Sequence, residues 1–566
     1  MDTKNVIAAI SLSAAVIIFY ALFFAPEPDP NRIKKEPIEK TKTVENFETP
    51  KIEQQEKIEK VSRQDAISSS KRIYFENEFI KGSIALTNGG AVDDYSFKTY
   101  NKSLGSKEKI ILLNPGNVEN GYLFNTGWAT NSDVETPNSK TVWKIDGNSK
   151  LTPTSPVKIY FENSQGIRFE RKISLDKKYL FNIDQKIINN SNNSYKFYPY
   201  AFLHRNNVPK DLTKFWILHE GYISYTDGEL DELKYDEIKK KKYTKEASSG
   251  YVAIGDGYFL TSLIPNQERK FRIDISYKRK YRASYIDLEG FEVDPNSSIK
   301  NNIKSIIGAK EIALLDNYEN ELGVEKLSLI INYGMLFLIV RPLWIVLDYL
   351  FKFSGNYGYA IILLTIAVRI FFFPLNQYAM GSMAKMKHLA KPMADLKSKY
   401  KDDKQQLNRE MMKLYKENGV NPAASCLPIL IQIPIFFSLY KLLMIDIAMR
   451  HAPFMWIWED LSAKDPTSIF NLFGLLNFSV PSFLEIGVLP VLMGGSMFLT
   501  QKMNPAPVGN DPAQEMMKKM FKWFPVFITV LLAPFASGLV LYWTTTNLAT
   551  ALQQWYLNKK VSVKKN

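Results

Sequence analysis

The chain has a single cysteine, Cys426, in 566 residues, which excludes an intrachain disulfide. His204 and His219 are too few and too isolated to build a histidine metal centre. No Gly-rich phosphate loop follows a strand pattern, and no Gly-x-Ser-x-Gly elbow occurs, so nucleotide-driven and serine-hydrolase chemistry have no seat. No catalytic cluster is left, so neither an enzyme nor a cofactor is expected. Charge is missing too, but locally: several long stretches carry none at all.

Those uncharged stretches reveal the organisation that a mean hydropathy of −0.18 and a net charge of +14 conceal. The first, Val6 to Phe24, is 19 residues, roughly 28 Å as a helix and enough to cross a bilayer once. Phe23 and Phe24 stand where a cleavage site needs small residues, so 1–25 reads as an uncleaved signal anchor. Residues 27–70 hold 19 charges in 44 positions and one aromatic, the composition of a solvated tether over 26–70.

From Lys71 the texture changes to period-two alternation, as in Ile167, Phe169, Ile173 and Leu175, and again in Phe271, Ile273, Ile275 and Tyr277. Turn signals at Asn88-Gly89-Gly90, Asp146-Gly147, Asp227-Gly228 and Asp256-Gly257 punctuate it. The spacing predicts an antiparallel β-sandwich over 71–300. The interrupted apolar stretch Leu327 to Leu350 then suits an interfacial amphipathic helix within a 301–352 connector, with burial against neighbouring spans as the other reading.

The last third, 353–558, predicts five spans at about 358–380, 421–443, 484–501, 518–534 and 537–556, six with the anchor. The loop 385–420 holds 10 Lys/Arg against 5 acids, and the tail 559–566 holds four Lys. Residues 446–485, on the other side, hold two Lys/Arg against five acids. The positive-inside rule therefore puts both termini in the cytoplasm and the β-domain outside, in a periplasm-like space.

Arg369 is the one charge in the 32 residues from Phe353 to Ala384, with 16 uncharged residues before it and 15 after. Such a cation costs roughly 2.5–3.5 kcal/mol to insert, so it calls for polar company or water. Thr365 lies one turn earlier on the same face. Gln432, Thr544, Thr545, Thr546, Asn547, Gln553 and Gln554 supply more polarity from other spans. A hydrated cavity holding one fixed positive charge would attract acidic groups of a passing polypeptide. Snorkelling and a structural hydrogen-bond hub are the other readings. Arginine does not give up its proton, and the uncharged runs of the spans hold no acid, so an ion-coupled relay is disfavoured.

In the loop, Met386, Leu389, Met393, Leu396 and Tyr400, then Leu407, Met411 and Leu414, recur at helical spacing and predict a hairpin turning near Asp402-Asp403. Its seam packs on itself, or its methionines (Met383, Met386, Met393, Met411, Met412) beside Lys385 and Lys387 greet apolar substrate segments, ribosomal RNA or anionic lipid. The last two spans are short, which thins a bilayer locally.

Six stretches carry a resemblance: TIAVR at 365–369, SMAKMKHLAKPMADLKSKY at 382–400, NPAASCLPILIQIPIFFSLYKLL at 421–443, APFMWIWEDLSAKDP at 452–466, FLTQKM at 498–503 and SGLVLYWTTTNLATALQQ at 537–554. GSIALTNGGAVDDYSFKTY at 82–100 adds a weaker match in the outer domain. With these the chain resembles the YidC membrane-protein insertase family of Gram-negative bacteria, relatives of the mitochondrial and chloroplast insertases.

The resemblance implies six transmembrane helices, five of them an insertase core, with a large extracytoplasmic antiparallel β-sandwich, in the bacterial inner membrane. It implies a polar groove open to cytoplasm and lipid, with Arg369 as its arginine and Thr365, Gln432, Tyr542 and Thr546 along it. Trp543 stands where the family often has Tyr. Newly made membrane proteins would be received at the cytoplasmic hairpin and inserted without nucleotide hydrolysis. Ribosome, Sec translocon and membrane lipid are the implied partners, and DNA is not. A solute transporter or channel and a membrane-anchored assembly scaffold are the competing functions.

Overall fold

The computed structural model describes residues 61–210, 212, 219–400, 403–420, 427–472, 476, 480–481, 485–503 and 512–563. The expected anchor over 1–25, the tether up to residue 60, Cys426 and the last three tail residues lie outside them, as do the side chains of Met383, Met386 and Lys387.

Alternation of apolar and polar residues turns directly into burial along the strands. Leu180 to Asn189 buries nearly every second side chain and pairs antiparallel with Ile167–Leu175 on one side and Ser297–Ala309 on the other. Among the described residues, two sheets of 11 and nine strands form, the first centred on Tyr195–Arg205 between Tyr122–Thr130 and Lys280–Asp287. Their inner faces meet through aromatics: Phe75 against Phe181 at 5.3 Å, Phe97 against Phe259 at 4.8 Å, and Phe169 against Phe197 at 5.7 Å. This is a sandwich core of large side chains. Pairing is antiparallel except for one short parallel contact, Arg72–Glu76 with Lys150–Leu151. The expected turns at 88–90, 227–228 and 256–257 close hairpins, with Asp227 at φ 47° and Gly228 at φ 87°, the backbone a two-residue hairpin turn demands, whereas Asp146-Gly147 joins strands that pair elsewhere. The last strand runs on to Ala309, past residue 300.

Twelve helices are described. Three are short and belong to the outer domain: α1 (Arg63–Ser68), α2 (Tyr235–Lys240) and α3 (Ile312–Leu322). The rest are α4 (Phe337–Ser354), α5 (Tyr357–Phe371), α6 (Phe373–His388), α7 (Ala390–Lys399), α8 (Lys404–Glu417), α9 (Leu427–Ile445), α10 (Val488–Met503), α11 (Pro512–Leu532) and α12 (Ser537–Val563). Helices α7 and α8 form the expected hairpin, where the Tyr415 hydroxyl meets the Met393 sulfur at 3.8 Å.

The 353–384 stretch differs from expectation. Instead of one helix over 358–380 it forms α5 and α6, bent by 64° at Phe372. The cause is Pro374, which has no N–H to return to the Ile370 carbonyl and disfavours helical geometry in the residue before it. Among the described residues no single helix is long and apolar enough to cross a membrane; this bent pair passes by length and composition. Pro434 and Pro525 lie inside α9 and α11, whose apolar parts are shorter, Leu430–Ile445 and Lys522–Leu532.

The sandwich is fastened to the helices by polar contacts. Arg450 donates to the carbonyls of Asn101 and Lys102 at 2.8 and 2.9 Å, and the Tyr258 hydroxyl donates to the Leu443 carbonyl at 3.3 Å. Arg341 of α4 pairs with Asp316 of α3 at 2.5 Å. Within the helical part itself, Trp344 of α4 donates to the Asp446 carboxylate just past α9 at 3.1 Å.

Candidate functional site

Helix α12 presents Tyr542, Thr546, Thr550 and Gln553 on one face by 3.6-residue periodicity. Toward that face come Arg369 from α5 and Gln432 from α9. The Arg369 guanidinium donates to the main-chain carbonyl of Thr546 at 3.2 Å. Gln432 donates to the Tyr542 hydroxyl at 2.5 Å, tying α9 to α12. Tyr542 and Thr546 are buried, while Arg369 and Gln432 are half-buried.

Among the described residues no carboxylate lies within ion-pair distance of Arg369. Its partner is a carbonyl dipole, which stabilises the guanidinium but leaves its charge uncompensated. The arrangement therefore offers a fixed positive charge with unused donors, in a setting less polar than water, where an acidic group binds more strongly than on a surface.

Thr365 sits 1% exposed, with its hydroxyl donated to the Ile361 carbonyl one turn back at 2.7 Å. It lies beside the site but spends its hydrogen bond on its own helix. Thr544 and Thr545 do the same toward Val540 and Leu541, each at 2.8 Å. Two participants escaped the sequence reading. Thr550 donates to the Thr546 carbonyl at 2.7 Å, so that carbonyl also serves Arg369; the four-residue step from Thr546 was the available signal. Ser496 of α10 accepts from Asn547 at 3.2 Å, for which no local pattern existed.

The residues expected to form a cytoplasmic contact set lie on α6–α8, away from α12. Met393 and Met411 are half-buried, and Met412 (62% exposed) and Lys385 are open. Among the described residues no group of three or more His, Cys, Asp or Glu is arranged to hold a metal ion.

Where the sandwich meets the helices, two buried charges are shifted. Burial pushes the Asp446 carboxyl up to about 6, against the donors Trp344 and Ala448. Burial also pulls the Lys310 ammonium down to about 8, where it donates to the Gly257 carbonyl at 2.9 Å.

The outer surface of the bundle exposes large apolar side chains. Ile370 and Phe371 of α5, Trp523, Phe527 and Leu531 of α11, and Leu548, Leu552 and Trp555 of α12 are all at least half exposed. Large apolar side chains exposed around a largely apolar interior that encloses the Arg369 group suit a helical bundle in apolar surroundings.

Residues 349–565 match the family described as 60Kd inner membrane protein, and residues 72–346 match the YidC periplasmic domain. The chain is 50% identical over 565 residues to the membrane protein insertase YidC of Pelagibacter ubique, covering 100% of both chains. It is 39% identical over 514 residues to that of Brucella suis, covering 89% of this chain and 83% of the relative. The Rickettsia bellii protein of the same name is 37% identical over 567 residues, covering 98% of each. A crystal structure titled as an active YidC insertase with its first transmembrane domain resolved aligns over 86% of this chain and 93% of the other, at 18% identity and a TM-score of 0.36. The chain belongs to the YidC family of membrane protein insertases.

Proposed function

We propose that this chain inserts newly made membrane proteins into the bacterial inner membrane along the polar face of α12, with Arg369 as the site's electrostatic anchor. The observation that carries this reading is the Arg369 guanidinium, held at 3.2 Å by the Thr546 carbonyl and by no acid among the described residues. A short polar tail of a substrate, entering from the cytoplasm, exchanges water for Arg369, Gln432 and Tyr542. Its acidic groups pair transiently with the guanidinium while the apolar segment slides out toward lipid. No covalent step and no nucleotide is required; burial of the substrate's apolar segment in the bilayer supplies the driving force.

In this reading the chain crosses the membrane six times, the anchor 1–25 included, with both termini cytoplasmic and the β-domain periplasmic. The α5–α6 bend and the prolines in α9 and α11 mark the spans as short or broken, which favours a thinned bilayer beside the groove. The α7–α8 hairpin, with Lys385, Met393, Met411 and Met412, and by extension Met383, Met386 and Lys387, receives the substrate. Ribosome contact through its basic faces and cooperation with the Sec translocon belong to the same reading.

The test is insertion of a short single-span protein with an acidic outer tail into proteoliposomes holding the full chain, without nucleotide. Arg369→Glu should abolish insertion while the melting temperature stays close to wild type. Undiminished insertion by a folded Arg369→Glu protein, or a solute flux that depends on Arg369, would overturn the reading.

A further inference from the structure

Between α9 and α10 the chain makes a tight hairpin whose tip is exposed among the described residues. Residues 452–458, Ala-Pro-Phe-Met-Trp-Ile-Trp, carry no charge. The stem closes with Phe454 N–H donating to the Trp458 carbonyl at 2.6 Å and Trp458 N–H returning to the Phe454 carbonyl at 3.3 Å. The two rings stack at 5.8 Å and are buried to 2% and 5% exposure. Asp460 fixes the base by accepting from the main chain of His451 at 3.1 Å and of Ser462 at 2.8 Å.

The stem is bolted to the α4–α5 elbow. Asn356 donates to the Pro453 carbonyl at 2.8 Å, and the Phe454 ring meets Tyr359 edge-on at 5.4 Å. Phe454 lies so close to the helix that a Cβ on Gly358 would come 2.0 Å from its ring, which is why that position has no side chain.

Against this rigid base the tip displays its two largest apolar side chains. Met455 is 54% exposed and takes φ 51°, a left-handed conformation that side chains other than glycine, asparagine and aspartate rarely adopt. Trp456 is 88% exposed. A fully presented tryptophan on a strained, braced turn is an arrangement kept for a contact. The same elbow exposes Tyr349 (71%), Phe353 (78%) and Tyr359 (48%), so the tip continues a belt of exposed aromatics on α4 and α5. Aromatic side chains with one polar atom favour the boundary between lipid headgroups and acyl chains over either water or hydrocarbon.

The geometry points to the Met455–Trp456 tip as a membrane-interface anchor that inserts into the headgroup boundary of the outer leaflet and fixes the depth of the N-terminal end of α5. The inference rests on the membrane reading above, and adds to it a lipid-binding element in a loop. By holding the outer end of α5 at one level, the anchor sets how deep Arg369, further along the same helix, sits below the surface.

The test uses the full-length protein with Cys426→Ser and one new cysteine at Trp456→Cys, Ile366→Cys or Tyr74→Cys, labelled with an environment-sensitive fluorophore in phosphatidylethanolamine–phosphatidylglycerol vesicles. The label at position 456 should emit to the blue of the one at 74, lose emission to brominated lipid and resist aqueous iodide. Iodide quenching at 456 with lipid quenching preserved at 366, on the face of α5, would overturn the anchor and leave the membrane reading standing. Iodide access at 366 as well would overturn both. A blue shift at 456 that appears only when a substrate polypeptide is added would also overturn the anchor, making the tip a substrate contact.

Discussion

Arg369 on α5 and Thr546 on α12 are joined by one hydrogen bond, 3.2 Å from guanidinium to main-chain carbonyl, across 177 residues of sequence. Because the acceptor is backbone and is also served by Thr550 at 2.7 Å, removing the arginine strands no buried carboxylate. Arg369→Ala should therefore cost at most about 1.5–3 kcal/mol of stability, the range for a hydrogen bond to a charged group. Insertion of substrates with acidic tails should fall much further, and Arg369→Lys should retain part of it. Thermal unfolding in detergent and an insertion assay on the same preparations separate the two effects.

The bond from Gln432 to Tyr542, 2.5 Å long, makes α9 and α12 one unit. Tyr542→Phe, Gln432→Leu and the double variant should be non-additive, with a coupling of about 0.5–1.5 kcal/mol in a double-mutant cycle. Additive losses in chemical unfolding would mean that the two side chains act separately.

Gly358 has no room for a methyl group, since its Cβ would stand 2.0 Å from the Phe454 ring. Gly358→Ala should destabilise by about 1–3 kcal/mol, as overpacking does. Adding Phe454→Ala should make the alanine at 358 tolerable, a rescue visible in the melting temperature.

Asp446, just past α9, accepts from Trp344 of α4 with its carboxyl pushed by burial from 3.8 to about 6. Raised in the folded state, it holds more protons there than when unfolded. Its favourable contribution is present in full below the unfolded value and is lost as pH rises through about 6. Asp446→Asn keeps one of the two acceptor oxygens that Trp344 and Ala448 use and does not titrate, so it should flatten that part of the stability profile at some cost in overall stability. Melting curves between about pH 4 and 7 check the sign.

The strands were legible because burial follows period two: Ile167–Leu175 and Phe271–Lys278 stand where alternation puts them. Their partners were not, since alternation says which face is buried and nothing about which strand lies alongside. Tyr122–Thr130 pairs with Tyr195–Arg205 across about 70 residues. In the helices, the run 353–384, with Arg369 its one charge, reads as one span because hydropathy averages over Pro374, where the helix turns by 64°. Arg369 was visible as a lone charge. Spacing puts Thr365 one turn from Arg369, yet its hydroxyl turns back to Ile361, an option always open to threonine inside a helix. The fastening contacts, Arg450 to Asn101 and Tyr258 to Leu443, depend on how two bodies dock and leave no periodic trace.

The central claim is that a polypeptide passes along the Arg369 face of the bundle. A photoreactive residue placed at 369, and separately at 365, during synthesis of a short single-span membrane protein tests it directly. Crosslinks from 369 to the nascent segment or its outer tail are the predicted result. Crosslinks to lipid or water alone, while the substrate still inserts normally, would make Arg369 a structural residue and contradict the account.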